Sequence, residues 1–272
     1  MTVSKDTTLV RRALVTGASS GIGAAFAERL ARDSYDLVLI ARRLDRLNAF
    51  AERLEESYGC RAEVLAADLS QPADLRKVEG KVARDASLDM LVNNAGFANA
   101  TRFSQLDVDV IDAMIGVQVV ALVRLTRAAL PGMIANRRGA IINVSSIAAF
   151  TVCPEPAWTV YCGTKAFVNT FTRGVQEEVR ETGVKLQALC PAFVPTEIFE
   201  AGGFDSQKPD WVWMRPEILV DASLAGLRLG EVICLPSLDD SALLQQLDEL
   251  RQAICDRAST GSPAARYINP ET

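Results

Sequence analysis

The chain has 272 residues, 49% of them hydrophobic, with a formal charge of −5 and no histidine. An acidic chain with scattered arginines lacks the basic stripe of a nucleic-acid binder, and the absence of histidine excludes Ser-His-Asp and Cys-His chemistry. Any acid or base must therefore be a carboxylate, tyrosine, lysine or cysteine.

The six cysteines form no C-x-x-C pair and, without histidine, predict no metal site. They read as reduced thiols of a cytoplasmic protein. No basic start leads into an apolar run, and no stretch approaches about 18 uninterrupted apolar residues, so neither a signal peptide nor a membrane helix is expected.

Residues 1–11 are polar and expected to be loose. Short apolar runs then alternate with helical patterns. Strands are predicted over 12–17, 35–42, 62–68, 88–96, 139–146, 185–191 and 231–236. Helices are predicted over 22–33, 44–58, 71–84, 107–130 (stopping near Pro131-Gly132), 160–182, 216–228 and 240–256. The tail 257–272 is polar. Continuous apolar strands alternating with helices predict an α/β fold. It is one Rossmann-like domain over 12–256, a doubly wound parallel sheet of about seven strands with helices on both faces. Ligands of such sheets bind at the carboxyl ends of the strands.

"TGASSGIG" (16–23) follows the first strand and opens the first helix. Gly17, Gly21 and Gly23 let main-chain N–H groups approach a phosphate, and the helix start adds partial positive charge. The second strand ends in Ile40-Ala41-Arg42-Arg43, with no carboxylate for a ribose 2′-hydroxyl. Guanidinium groups suit a 2′-phosphate, so the cofactor predicted is NADP(H).

Tyr161 and Lys165 lie one turn apart on one face of the helix predicted over 160–182. An ammonium nearby stabilises a phenolate, and lowering the phenol pKa by three units would take about 4 kcal/mol. Tyrosine would then act as general acid and base in place of histidine. Ser146, just past the fifth strand, could hold a substrate oxygen. Ser145 is the alternative, since adjacent strand side chains face opposite ways.

Taken together, "TGASSGIG" (16–23), "AADL" (66–69), "NNAG" (93–96), "NVSS" (143–146), "YCGTK" (161–165) and "CPAFVPT" (190–196) resemble the short-chain dehydrogenases/reductases. The pieces stand in that family's order over 12–236, and "ARRLDRL" (41–47) resembles its NADP-preferring members.

The resemblance implies a carbonyl–alcohol oxidoreductase. Gly17, Ser19, Ser20, Gly21, Ile22 and Gly23 would line the pyrophosphate and adenosine side. Arg42, with Arg43, would take the 2′-phosphate. Asp68 and Leu69 would flank the adenine, and Asn94, Ala95 and Gly96 would floor the ribose. Tyr161 would protonate the carbonyl oxygen and Ser146 would orient it. Lys165 would bind the nicotinamide ribose. Pro191, Ala192, Val194 and Thr196 would hold the carboxamide.

The chain departs from the family at three places. Gln118 stands where an asparagine usually joins the lysine to a proton path. It falls on the apolar stripe Ile111, Ile115, Leu122, Leu125 and should be buried, either bonded to backbone or standing in for the asparagine. Ser146 and Tyr161 are further apart than usual, with a stiff Pro154/Pro156 loop between them. Ala192 replaces a glycine, at little cost if its φ is negative.

Trp158, Trp211, Trp213, Phe193, Phe199, Phe204 and Met214 suggest an apolar pocket for a hydrophobic ketone or alcohol, covered by a segment over about 193–215 that Gly202-Gly203 would let move. Packing of core or a subunit interface is the alternative use of these side chains. A homodimer or homotetramer is expected by analogy, through the helices at 107–130 and 160–182. Two other readings stand beside the enzyme: an NADP(H)-binding regulatory or structural protein without turnover, and an NAD-linked alcohol oxidase.

Overall fold

The computed structural model describes residues 11–151, 158–197 and 209–268. They fall into two units, residues 1–236 and 237–272. The first holds the whole sheet. The strands are β1 (Arg11–Thr16), β2 (Tyr35–Ala41), β3 (Ala62–Ala66), β4 (Leu88–Asn93), β5 (Gly139–Val144), β6 (Val184–Leu189) and β7 (Ile233–Cys234). All pair in parallel in the order β3-β2-β1-β4-β5-β6-β7. The order reverses between β1 and β4, and this switch point opens the crevice in which ligands of such sheets bind.

The central strands carry apolar, buried runs because both faces are covered there. Ala13, Val15, Leu37, Leu39, Met90, Val92, Ile142 and Val144 point to one side, where they meet Phe26 and Leu30 of α1 (Gly21–Arg32), Leu47 and Leu54 of α2 (Leu44–Tyr58), and Leu224 of α7 (Pro216–Leu229). The alternate residues Leu14, Val38, Ile40, Leu91, Ile141 and Leu186 point the other way. There they meet Leu75 and Val78 of α3 (Pro72–Arg84) and Leu125, Ala129 and Met133 of α5 (Leu122–Ala135). One-residue alternation along each strand thus builds two cores.

The long helix departs from expectation. α4 (Val108–Ile115) continues through a π-helical segment, Gly116–Ala121, into α5. The wider turn shifts the helical phase, so Met114 is buried and Ile115, expected on the buried stripe, is exposed. The helix also runs through Pro131 to Ala135 instead of stopping there. Proline forfeits one helical hydrogen bond, but buried Ala129 and Met133 hold the turns on either side against the sheet.

A buried polar chain crosses the middle of the sheet. Asn93 Nδ2 donates to Asn143 Oδ1 (2.9 Å) and Thr126 Oγ1 (3.1 Å), and Asn143 Nδ2 donates to Thr172 Oγ1 (3.0 Å). It ties β4 and β5 to α5 and to α6 (Thr159–Glu178). Most buried side-chain polar groups are paired in this way.

The second unit carries α8 (Ala242–Ala258) and α9 (Ala265–Ile268), with no buried residue in either. The sequence reading had joined the first of these helices to the main domain. No helix among the described residues is long and apolar enough to cross a membrane.

Candidate active site

The turn after β1 sets one wall. Gly17 and Gly21 have φ of +66° and +55°, a region that suits glycine. A Cβ on Gly23 would lie 2.2 Å from Gly17 O and 2.5 Å from Asn94 Nδ2. Ser20 stands at the N-cap of α1 without a side-chain cap bond. The first N–H groups of the helix therefore keep their donors for an outside acceptor, with the Ser19 and Ser20 hydroxyls beside them. A close-packed glycine turn with open donors at a switch point fits a dinucleotide pyrophosphate.

Arg43 reaches this turn. Its Nη2 donates to Ser19 Oγ (3.1 Å) and Ser20 Oγ (3.2 Å) and pairs with Glu197 (2.8 Å). Arg42 is exposed and makes no ion pair among the described residues. Of the two arginines, Arg43 is therefore the one bonded at the phosphate turn, although the sequence reading gave Arg42 the leading role.

Asp68 accepts from the backbone N–H and hydroxyl of Ser70 (2.9 and 2.7 Å), with Leu69 buried next to it. Asn94 serves the scaffold: its Nδ2 donates to Thr16 O (2.9 Å), while the backbone N–H groups of Asn94 and Ala95 donate to Thr16 Oγ1 (2.9 and 3.0 Å). Thr16 thus locks the ends of β1 and β4 together, a role its motif position did not announce. Gly96 lies against the side chain of Gln118, whose Oε1 would sit 3.2 Å from a Cβ there.

The reactive side chains converge where β5 meets α6. Ser146, in extended backbone after β5, accepts from Ala148 N–H at 3.1 Å and lies near enough to the Tyr161 phenol to act on its pKa. Ser145 turns the other way and donates to Lys165 O (3.1 Å). The choice between the two serines falls to Ser146, as strand alternation requires.

Lys165 is buried, its Nζ donating to Val144 O at 2.9 Å and lying 5.4 Å from the centroid of the Tyr161 ring. Burial pulls its pKa down to about 8. Tyr161 packs edge-on against buried Trp158, centroids 5.9 Å apart. Burial pushes its pKa up to about 12 despite the Ser146 side chain, which acts to lower it. For each group the largest cause is desolvation, which disfavours the charged form.

Gln118 is buried, as its place on the stripe requires. Its Nε2 donates to Phe97 O at 3.0 Å, while its Oε1 and Asn93 Oδ1 are buried without a partner. Both residues line one small cavity with Lys165, of about 10 Å³, roughly the space of one water. The backbone bond accounts for the amide nitrogen, and the oxygen remains an open acceptor beside the lysine.

Pro191 O accepts from Ile147 N–H (2.9 Å), and Val194 is buried. Ala192 is not among the residues of positive φ, so alanine fits there unstrained. Phe193 and Trp213 meet edge-on at 5.9 Å and bridge their backbones, which pins both ends of the expected covering segment together. Trp158 is buried in a small cluster with Ala98 and Cys162, against which Tyr161 packs. Phe199, Gly202, Gly203 and Phe204, like Pro154 and Pro156, lie outside the described residues. The buried Cys190 and Cys234 thiols are pushed up to about 11 and about 12, which keeps them protonated. Among the described residues no cluster could hold a metal.

A seven-stranded parallel sheet with a glycine turn at its switch point and a Ser-Tyr-Lys group across the crevice defines a dinucleotide-dependent oxidoreductase. The short-chain dehydrogenase family model matches residues 11–204. A very-long-chain 3-oxoacyl-CoA reductase from Anas platyrhynchos is 33% identical over 82% of this chain and 72% of its own. Two solved structures are similar throughout. The short-chain dehydrogenase from Sphingobium yanoikuyae in complex with NADPH is 40% identical, with a TM-score of 0.89 over 95% of this chain and all (100%) of the other. The bulky-bulky ketone specific alcohol dehydrogenase from Comamonas testosteroni is 34% identical, with a TM-score of 0.87 over 96% and 100%. The chain belongs to the short-chain dehydrogenase/reductase family.

Proposed function

We propose that the protein is an NADP(H)-dependent oxidoreductase that interconverts a bulky, hydrophobic ketone and its secondary alcohol. The observation that carries this is the convergence of Ser146, Tyr161 and Lys165 in the crevice beside an open glycine turn. The bound cofactor supplies the hydride and the protein supplies alignment and the proton.

Ser146 orients the carbonyl oxygen, and the Tyr161 hydroxyl delivers a proton to it on reduction or removes one from the alcohol on oxidation. Lys165 places positive charge beneath the tyrosine ring and holds the ribose. Gly17, Ser19, Ser20, Gly21, Ile22 and Gly23 bind the pyrophosphate side, with Arg42 and Arg43 on the 2′-phosphate. The aromatic pair Phe193–Trp213 and the NADPH and bulky-ketone relatives support the cofactor and substrate classes.

The test is NADPH consumption at 340 nm with a panel of bulky ketones, for the wild type and Tyr161→Phe. Turnover by the wild type that drops about 10²-fold or more in the variant, with NADPH affinity retained, is expected. One observation favours a second reading, NADP(H) binding without turnover: Gln118 replaces the family's asparagine and commits its nitrogen to Phe97 O. Tight NADPH binding with no consumption across the panel would establish that reading instead.

A further inference from the structure

Glu197 follows directly on Thr196, a residue packed over the phosphate turn: a Cβ on Gly21 would lie 2.9 Å from Thr196 Cγ2. The Glu197 carboxylate bridges two guanidinium groups, Oε2 to Arg43 Nη2 at 2.8 Å and Oε1 to Arg46 Nη1 at 2.7 Å. Arg43 is in turn bonded to Ser19 and Ser20 at the start of α1. The bonds from Arg43 and then Arg46 hold the Glu197 carboxyl below its ordinary range, so it is an anion at neutral pH.

A phosphate monoester presents the same kind of oxygens and asks for the same guanidinium donors. Two anions brought to one donor pair repel each other. We propose that Glu197 is a specificity-determining residue, an internal counter-anion that occupies Arg43 and Arg46 in the cofactor-free protein and is exchanged for the 2′-phosphate when NADP(H) binds. The inference rests on the NADP(H) reading above. A nucleotide without the 2′-phosphate leaves the Glu197 bridge in place. The carboxylate therefore sets the affinity for the phosphorylated cofactor without touching the reacting atoms.

All three side chains are substantially exposed, between 42% and 55%, so each lost pair is worth a modest factor and the expected effect is roughly two- to tenfold. The experiment titrates the full-length protein with 2′,5′-ADP and with 5′-ADP by calorimetry, for the wild type, Glu197→Gln and Glu197→Ala. Both variants should bind 2′,5′-ADP roughly two- to tenfold tighter and 5′-ADP unchanged. Unchanged or weaker 2′,5′-ADP binding in both variants overturns the proposal, and weaker binding would make Glu197 a scaffold for the arginines. An equal gain for 5′-ADP also overturns it. A wild type that binds both nucleotides equally refutes the NADP(H) reading itself, and the proposal falls with it.

Discussion

Lys165→Met isolates the electrostatics on which the site depends. In the folded protein burial lowers the lysine pKa from 10.5 to about 8. At neutral pH the side chain is charged in both folded and unfolded chains, and keeping that charge inside costs about 3 kcal/mol. Methionine fills a similar volume without charge. It also leaves Val144 O without its donor, a loss of about 1–3 kcal/mol. At pH 7 the variant should therefore equal the wild type or exceed it by up to about 2 kcal/mol while losing activity. The sign of the pH dependence follows from the lowered folded pKa. Between about 8 and 10.5 the unfolded wild type binds more protons than the folded one, so wild-type stability rises with pH there and is lost as pH falls towards 8. Urea unfolding of both proteins between pH 7 and 9.5 should show the difference moving by about 2 kcal/mol in favour of the wild type. Tyr161, raised from 10.0 to about 12, contributes stability that is lost only as pH climbs through that higher range, outside the window. A difference flat with pH would refute the buried-charge account.

Gly23→Ala should abolish NADPH binding, measured by cofactor fluorescence, because its Cβ would lie 2.2 Å from Gly17 O in the phosphate turn. Affinity within twofold of wild type would show that the turn has room to shift. Ser145→Ala should lower stability by about 1 kcal/mol with turnover intact, since Ser145 bonds only scaffold, through Lys165 O. Ser146→Ala should lower kcat on the order of 100-fold and, through the lost cap on Ala148 N–H, lower stability by about 1 kcal/mol. An exchange of these two phenotypes would reverse the assignment.

The strands and helices of the sheet domain were legible to within a residue or two in most cases because a sheet covered on both faces writes each strand as an apolar run. Ser146 was legible for a related reason, since strand alternation leaves one of two adjacent serines facing the crevice. The π turn at Gly116–Ala121 was not, because one wide turn leaves no period of its own. Its trace is the exchange of Ile115 for Met114 on the buried stripe. The passage of the helix through Pro131 was hidden because a local stop signal lost to the tertiary packing of Met133. The Glu197 bridge was beyond reach, joining residues 151 and 154 positions apart in the chain. Only the "ARRLDRL" run hinted that Arg46 belonged with Arg43.

The spacing of Tyr161 and Lys165 suggested attraction between an ammonium and a phenolate, but spacing carries no information about burial. The structure supplies it. Both groups are pushed towards neutrality, the phenol up to about 12 and the amine down to about 8. A phenol in its protonated form can give a proton to a developing alkoxide, and taking one from an alcohol would require a lower pKa. Lys165, its Nζ bonded to Val144 O and 5.4 Å from the ring centroid, remains positively charged at neutral pH. Oxidation would need the phenol pKa lowered by positive charge or hydrogen bonds brought to the Tyr161 oxygen.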